Sequence, residues 1–280
     1  MQRHPYFDLW LHSDAELEGL LGQPLAARAT LHEWPLSCVQ RIELADGATW
    51  VYKTQFHEGV EAAFYARVRS PLLPACRALG SFETTVCLLL EFIDAPLLAQ
   101  TKPGEAEALA HAARLETAIA EIAGDPPLYM DLGSPERWSA FARDTGAKLE
   151  RIVADGRFAA LSPAALRALD GWVRSPEVLD AASRPALAHA DLSASNVFLA
   201  PASPLGYRVI DWQYPRRLAA GFDRACLFDS LGLDPARAAG PLVARILYYL
   251  RLAWFAECQL RLFPQGDYAP ACARLLAQIV

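Results

Sequence analysis

The sequence predicts an α+β protein of two lobes, a small one built on an antiparallel sheet and a larger, mainly helical one. Three observations predict it. Short apolar runs bounded by turn residues fill the chain as far as Phe92, as strands do. After Pro103 the chain changes to Ala/Leu/Glu/Arg segments with apolar residues spaced by three and four, the helical period. The composition, 53% hydrophobic and 21% charged over 280 residues, excludes a disordered chain and is enough for a large core.

Taken in order, Leu36–Leu44 and Thr49–Gln55 read as two strands joined by the Asp46-Gly47 pair of a tight hairpin turn. Glu58–Arg69 reads as a helix rich in Ala, Glu and Arg, stopped by Pro71. Arg77–Phe82 and Thr85–Phe92 read as two more strands, the second continuously apolar before Glu91, as a buried strand should be. Asp94-Ala95-Pro96 ends it. The first lobe is therefore expected over residues 1–93 and the second over 94–280. In the second, Glu105–Ile122, Pro135–Ala154 and Pro163–Val173 read as helices with proline near their starts. Two short strands, Val197–Leu199 and Tyr207–Ile210, follow a loop near Leu187, and from Phe222 the pattern is helical again. There is no internal repeat and no low-complexity linker.

A net charge of −6, from 26 basic and 32 acidic residues, argues against a general nucleic-acid binder. The N-terminus has no uninterrupted apolar stretch of the kind a signal peptide needs. Pro241–Phe263 is apolar, but Arg245, Arg251, Glu257 and Arg261 rule against a membrane crossing; an amphipathic or buried helix is expected. None of the six cysteines forms a C-x-x-C pair, which argues against a zinc ribbon or a dithiol motif. Reduced, buried thiols in a cytoplasmic protein are expected instead. Three of the 26 basic residues are lysines (Lys53, Lys102 and Lys148), and Asn196 is the single asparagine. In so arginine-rich a chain, each of these draws attention to its chemistry.

The strongest local signal is His189-Ala190-Asp191-Leu192-Ser193-Ala194-Ser195-Asn196. It has the form H-x-D-L-x-x-x-N, the catalytic-loop pattern of protein-kinase-like phosphotransferases. In that pattern Asp191 accepts a hydrogen bond from a substrate hydroxyl and orients it. Five residues on, Asn196 offers a carbonyl oxygen to Mg²⁺, and His189 braces the loop. The second signal is Ile210-Asp211-Trp212, an apolar strand ending in a carboxylate suited to the same hard cation. The third is Trp50-Val51-Tyr52-Lys53, with Glu61 in the helix beyond it. This matches the Lys–Glu pair that grips nucleotide phosphates. Taken alone, Asp211, Lys53 and Glu61 would each read as an ordinary strand-end, sheet-edge or helix-face residue, Asp191 excepted. Their order along the chain, on the expected element types, makes them a set.

With these motifs the chain resembles the aminoglycoside phosphotransferase and choline kinase superfamily, which shows a small residue after the histidine and I-D-[WF] in place of D-F-G. The resemblance runs from about Leu25 to the C-terminus. It implies a bilobal protein-kinase-like fold with nucleotide between the lobes, ATP or GTP as phosphate donor, Mg²⁺, and a small-molecule hydroxyl as acceptor, with Asp191 as base. It also implies a hinge at Glu91-Phe92-Ile93, whose backbone would hold the purine, and a structural aspartate at Asp223 or Asp229 that holds the catalytic loop. Trp212, Tyr214 and Glu257 are the residues offered to an acceptor pocket. The chain departs from the family where a glycine-rich phosphate loop belongs. Leu31–Cys38 there has no glycine, and Ser37 is the residue left to add a hydroxyl. That departure keeps open a second expectation, a non-catalytic kinase-like binder of nucleotide or another ligand. A protein kinase is disfavoured by the lack of D-F-G and A-P-E after Asp211. The acceptor and the oligomeric state are not readable from the sequence.

Overall fold

The computed structural model describes residues 1–154, 156, 158 and 161–280. It opens with a small hairpin, β1 (Gln2–Arg3) and β2 (Trp10–Leu11), and a helix, α1 (Asp14–Leu21). Then come β3 (Leu25–Trp34), β4 (Ser37–Leu44), β5 (Thr49–Phe56), α2 (Glu61–Arg67), β6 (Val68–Arg69), β7 (Cys76–Phe82), β8 (Thr85–Glu91) and α3 (Leu98–Thr101). The middle of the chain holds α4 (Glu105–Ala120), β9 (Ala123–Gly124), β10 (Met130–Asp131), α5 (Pro135–Ala154), α6 (Pro163–Val173), α7 (Pro176–Ala182) and β11 (Pro185–Ala188). It closes with β12 (Val197–Leu199), β13 (Tyr207–Val209), β14 (Arg216–Ala219), α8 (Phe222–Ser230), α9 (Pro235–Glu257), a π-helical turn (Cys258–Leu262) and α10 (Ala269–Ile279). The elements divide into two compact units: Met1–Lys102 with Glu121–Tyr129 and Ser195–Tyr214, and Pro103–Ala120 with Met130–Ala194 and Pro215–Val280.

The first unit is built on a five-stranded antiparallel sheet in the order β3-β4-β5-β8-β7. Side chains alternate across it. Tyr52 faces one side with Cys38, Ile42, Cys87 and Leu89, and Leu9, Leu11 and Leu17 from the N-terminal segment join them in a core cluster. Lys53 faces the other side, between its register partners Val39 and Leu88. Ser13 starts α1 with a capping box shared with Glu16, so the helix end that presents Leu17 is fixed locally. The helix expected over Glu58–Arg69 is shorter at both ends. At its C-terminal end Val68 turns extended and pairs with Gly124, where tertiary pairing overrides local propensity.

The expected boundary at Ile93 does not divide the units. The hairpin β12–β13 belongs with the first unit because it satisfies that unit's open backbone groups: Val209 N–H donates to Leu72 O at 2.8 Å and Leu199 N–H to Pro96 O at 2.9 Å. Leu31–Cys38, expected as a phosphate loop, is almost entirely strand. Trp34 pairs with Ser37, so only Pro35 and Leu36 make the turn.

The second unit is helical around a small three-stranded sheet, β10-β14-β11, and the segment that begins at His189 leaves from the end of β11. Its core holds an aromatic group in which Trp138 and Trp172 pack on Tyr249 at 5.6 and 5.8 Å between ring centres. The Trp138 indole N–H is satisfied by Val173 O at 2.9 Å. The helices expected over Pro135–Ala154 and Pro163–Val173 occupy those spans, and the one expected over Glu105–Ile122 ends at Ala120. The late apolar stretch follows a break at Gly240-Pro241 inside α9 and buries Ile246, Leu247, Tyr249, Leu250 and Leu252. No helix among the described residues is long and apolar enough to cross a membrane.

Candidate functional site

Lys53 sits on β5, an inner strand of the sheet, and is 5% exposed. An ammonium in such a place needs charged partners. It has two: Nζ lies 2.7 Å from Glu61 Oε2 and 2.6 Å from Asp211 Oδ1. Burial opposes the lysine charge, but the carboxylates of Asp211 and Glu61 outweigh it and push the ammonium above its ordinary range. Burial pushes the fully buried Glu61 carboxyl up, against the pull of Lys53.

Asp211 follows β13 with its backbone in the left-handed region, φ +71°. Such strain in a non-glycine residue persists only where the surroundings over-determine it. Here Trp212 stacks on Phe64 of α2 at 4.4 Å between rings only 10° from parallel, and its indole donates to Val209 O at 3.1 Å. Gln213 Nε2 donates to Asp211 Oδ1 at 2.8 Å, and Gln213 O accepts from Val60 N–H at 3.0 Å. Asn196 lies at the same end of the β12–β13 hairpin as Asp211. Val197 pairs with Val209, and Ile210 N–H donates to Asn196 O at 3.0 Å. The ladder therefore brings the two expected cation ligands to one end of one hairpin.

The other first-unit residues singled out from the sequence are placed as follows. Ser37 is buried, and its hydroxyl accepts from the Trp34 indole at 2.6 Å. Glu91 N–H donates to Ala75 O at 2.8 Å while its carboxylate takes Ala75 N–H at 2.9 Å, so Glu91 braces the residue that leads into β7. Phe92 and Ile93 lie beyond the last ladder pair, Trp50 with Glu91, and the Arg41 guanidinium covers the Phe92 ring at 5.0 Å. Trp212 is fully buried on Phe64, which corrects its expected place in an acceptor pocket. Tyr214 is half-buried and packs edge-on against Tyr129 at 4.8 Å, and burial pushes its phenol up.

In the second unit His189 is fully buried, and its Nδ1 accepts Asp191 N–H at 3.3 Å. Asp223, on the first turn of α8, accepts His189 N–H at 2.7 Å and Ala190 N–H at 2.9 Å. Desolvation pushes the Asp223 carboxyl up to about 7, against the lowering effect of those two bonds. Ala190 is held at φ +68°, and Ala194 N–H is taken by Ser230 Oγ at 2.9 Å. Of the two aspartates considered for bracing this loop, Asp223 makes these contacts and Asp229 pairs with Arg251 instead. Asp191 itself is exposed. Glu257 is bonded to Lys148 at 2.9 Å and to Arg261, and these two cations outweigh burial and hold its carboxyl below its ordinary range.

One further set of ligand types lies together among the described residues: His4, Glu33 and Cys38. His4 Nδ1 accepts Tyr6 N–H at 3.2 Å, which puts the ring proton on Nε2, 3.2 Å from Glu33 Oε2. That tautomer donates to a carboxylate, and burial lifts the Cys38 thiol to about 11, so His4 and Glu33 form a hydrogen-bonded pair beside a protonated thiol. Gln213 carries no sequence signal beyond its place directly after Ile210-Asp211-Trp212.

The fold has known counterparts. The ADP-bound aminoglycoside phosphotransferase APH(2'')-Ib shares it with a TM-score of 0.60 at 15% identity, over 94% of this chain and 96% of that one. A choline kinase from Cryptosporidium parvum Iowa II does so with a TM-score of 0.60 at 13% identity, over 90% and 87%. The macrolide 2'-phosphotransferase MphH from Brachybacterium faecium does so at 0.58 and 16% identity, over 93% and 95%. At such identities the likeness is one of fold, and this chain has the fold that aminoglycoside phosphotransferases and choline kinases share. No protein-family model matches the sequence, and no curated protein matches it.

Proposed function

We propose that the chain is a kinase of small molecules. It transfers the γ-phosphate of a nucleoside triphosphate to a hydroxyl of an aminoglycoside, amino alcohol or sugar. The observation that carries this reading is the Lys53 ammonium held between Glu61 and Asp211, in a chain whose His189–Asn196 segment has catalytic-loop spacing. The ADP bound to APH(2'')-Ib supports ATP over GTP as the donor.

Two carboxylates around one ammonium leave net negative charge, and Asp211 and Asn196 are oxygen ligands at one hairpin end. That donor set suits Mg²⁺, which Asn196 and Asp211 would hold and which, when bound, neutralises charge on the phosphate oxygens. Lys53 grips the α/β-phosphates, with Glu61 keeping its ammonium in place. The backbone of Phe92 and Ile93 faces the purine. Asp191 orients the acceptor hydroxyl and takes its proton as the new O–P bond forms and the bond from the γ-phosphorus to the ADP oxygen breaks. His189 and Asp223 hold the loop that presents Asp191.

ADP release with Mg-ATP, measured across small alcohols, amino sugars and aminoglycosides, tests the reading. One acceptor should raise turnover, and Asp191→Ala should lower kcat by about 10²–10⁴-fold with an unchanged melting temperature. An Asp191→Ala protein with near-full turnover would falsify the role given to that residue. The tight, glycine-free turn at Trp34-Pro35-Leu36-Ser37 favours a second reading, a kinase-like protein that binds nucleotide without turnover. Stabilisation by Mg-ATP with no acceptor-dependent ADP release would select that second reading.

A further inference from the structure

We propose that Gln213 is a positioning residue for the cation ligand Asp211, fixing the plane of its carboxylate, an inference that rests on the kinase reading above. Gln213 Nε2 and Lys53 Nζ both donate to the same oxygen, Asp211 Oδ1, at 2.8 and 2.6 Å. Two donors on one oxygen resist rotation of the carboxylate about its Cβ–Cγ bond and so set the direction in which Oδ2 points. Lys53 reaches that oxygen from a long, flexible stem. Gln213 reaches it from two residues along the same backbone, which makes it the shorter and stiffer of the two constraints.

Gln213 is itself well anchored. It is 6% exposed, a position where an amide N–H left without an acceptor is costly, so its bond to Asp211 is favoured. Its carbonyl accepts from Val60 N–H at 3.0 Å. Gly59 lies so close that a Cβ there would stand 3.3 Å from Gln213 O and 3.4 Å from Gln213 Cβ. The residues leading into α2 therefore pack directly against Gln213. Through it, the carboxylate is referenced to the start of the helix that carries Glu61. A neutral amide makes this bond without placing a third carboxylate beside Asp211 and Glu61.

The test uses Mn²⁺, which shares the preference of Mg²⁺ for oxygen ligands and can be followed by water-proton relaxation. Binding of Mn²⁺ is titrated in the presence of a non-hydrolysable ATP analogue, and analogue binding is titrated separately in excess chelator. Gln213→Leu should weaken Mn²⁺ by about 10–100-fold while leaving metal-free analogue binding unchanged. Gln213→Asn keeps a buried amide but falls one methylene short, and should give the same loss if the leucine variant fails to fold. Both variants keep the backbone bond to Val60. Unchanged Mn²⁺ affinity overturns the inference, as does an equal loss of cation and analogue, which would mark a merely structural residue. A wild-type protein that binds neither analogue nor Mn²⁺ overturns the kinase reading as well. A wild-type that binds both, with variants that bind equally well, overturns only the role of Gln213.

Discussion

Asp223 gives the His189–Ala190 segment a pH dependence whose sign follows from burial. Its folded carboxyl titrates at about 7, against about 4 for an ordinary aspartate. Between those values the native state holds a proton that the unfolded state releases. Stability from this group is therefore greatest at the acid end and falls as pH rises through that window. Asp223→Asn should flatten this part of the pH–stability profile in urea unfolding. It should also cost about 1–3 kcal/mol, because its amide offers one acceptor where two backbone N–H groups need one each. A slope unchanged by the substitution would place the titration elsewhere. Lys53 makes a complementary case. Replacing it by methionine leaves Glu61 as a fully buried carboxylate without its cation, at a cost of about 3–5 kcal/mol. Protonation of Glu61 removes that uncompensated charge. The variant should therefore regain stability relative to wild type from neutral to mildly acid pH, and a gap that stays constant would contradict the ionic account.

Among the elements, the pairing of β6 with β9 depends on one backbone position. Gly124 sits at φ +113°, and a Cβ there would lie 2.4 Å from Arg67 O. Gly124→Ala must therefore move backbone, and it should lower stability by about 3 kcal/mol or more, read as a drop in melting temperature. A neutral substitution would mean that this pairing is not held in solution. The same long-range pairing marks the limit of what the sequence discloses. The strand at Thr49–Gln55 and the helices at Pro135–Ala154 and Pro163–Val173 were legible because turn residues, N-terminal prolines and apolar period act within a few residues. The strand β3 escaped because most of its side chains are exposed and show no alternation to read. β10, β11 and β14 escaped because each is short and pairs with a strand well away in the chain, as Met130 and Ala188 both do with Arg216. The candidate site divides the same way. The H-x-D-x-x-x-x-N spacing and the I-D-W run are local and could be read. What Trp212 and Gln213 touch depends on the left-handed turn at Asp211, after which the chain's direction is not a property of the pattern, so neither the burial of Trp212 nor the bond made by Gln213 can be read from it.

At the scale of the molecule, each unit is assembled from three separate stretches of chain, and this bears on whether the first can stand alone. A fragment of residues 1–102 keeps all five strands of the main sheet and looks, by sequence, like a complete lobe. It lacks the hairpin that bonds Leu72 and Pro96 and the ring that covers the fully buried Phe64. It also lacks Asp211, one of the two carboxylates that partner Lys53. Uncovering one face of Phe64 forfeits part of the about 1.5–3 kcal/mol that burying the whole side chain is worth, and the unmet backbone and charge terms add to it. Against a typical domain stability of about 5–15 kcal/mol, the sum removes much of the margin. The fragment should therefore show no cooperative thermal transition by calorimetry, while a single chain that also carries 121–129 and 195–214 should recover one. A cooperative transition in the short fragment would show that the sheet and the N-terminal core suffice. The hairpin that bears Asn196 and precedes Asp211 would then contribute to the site and not to the fold.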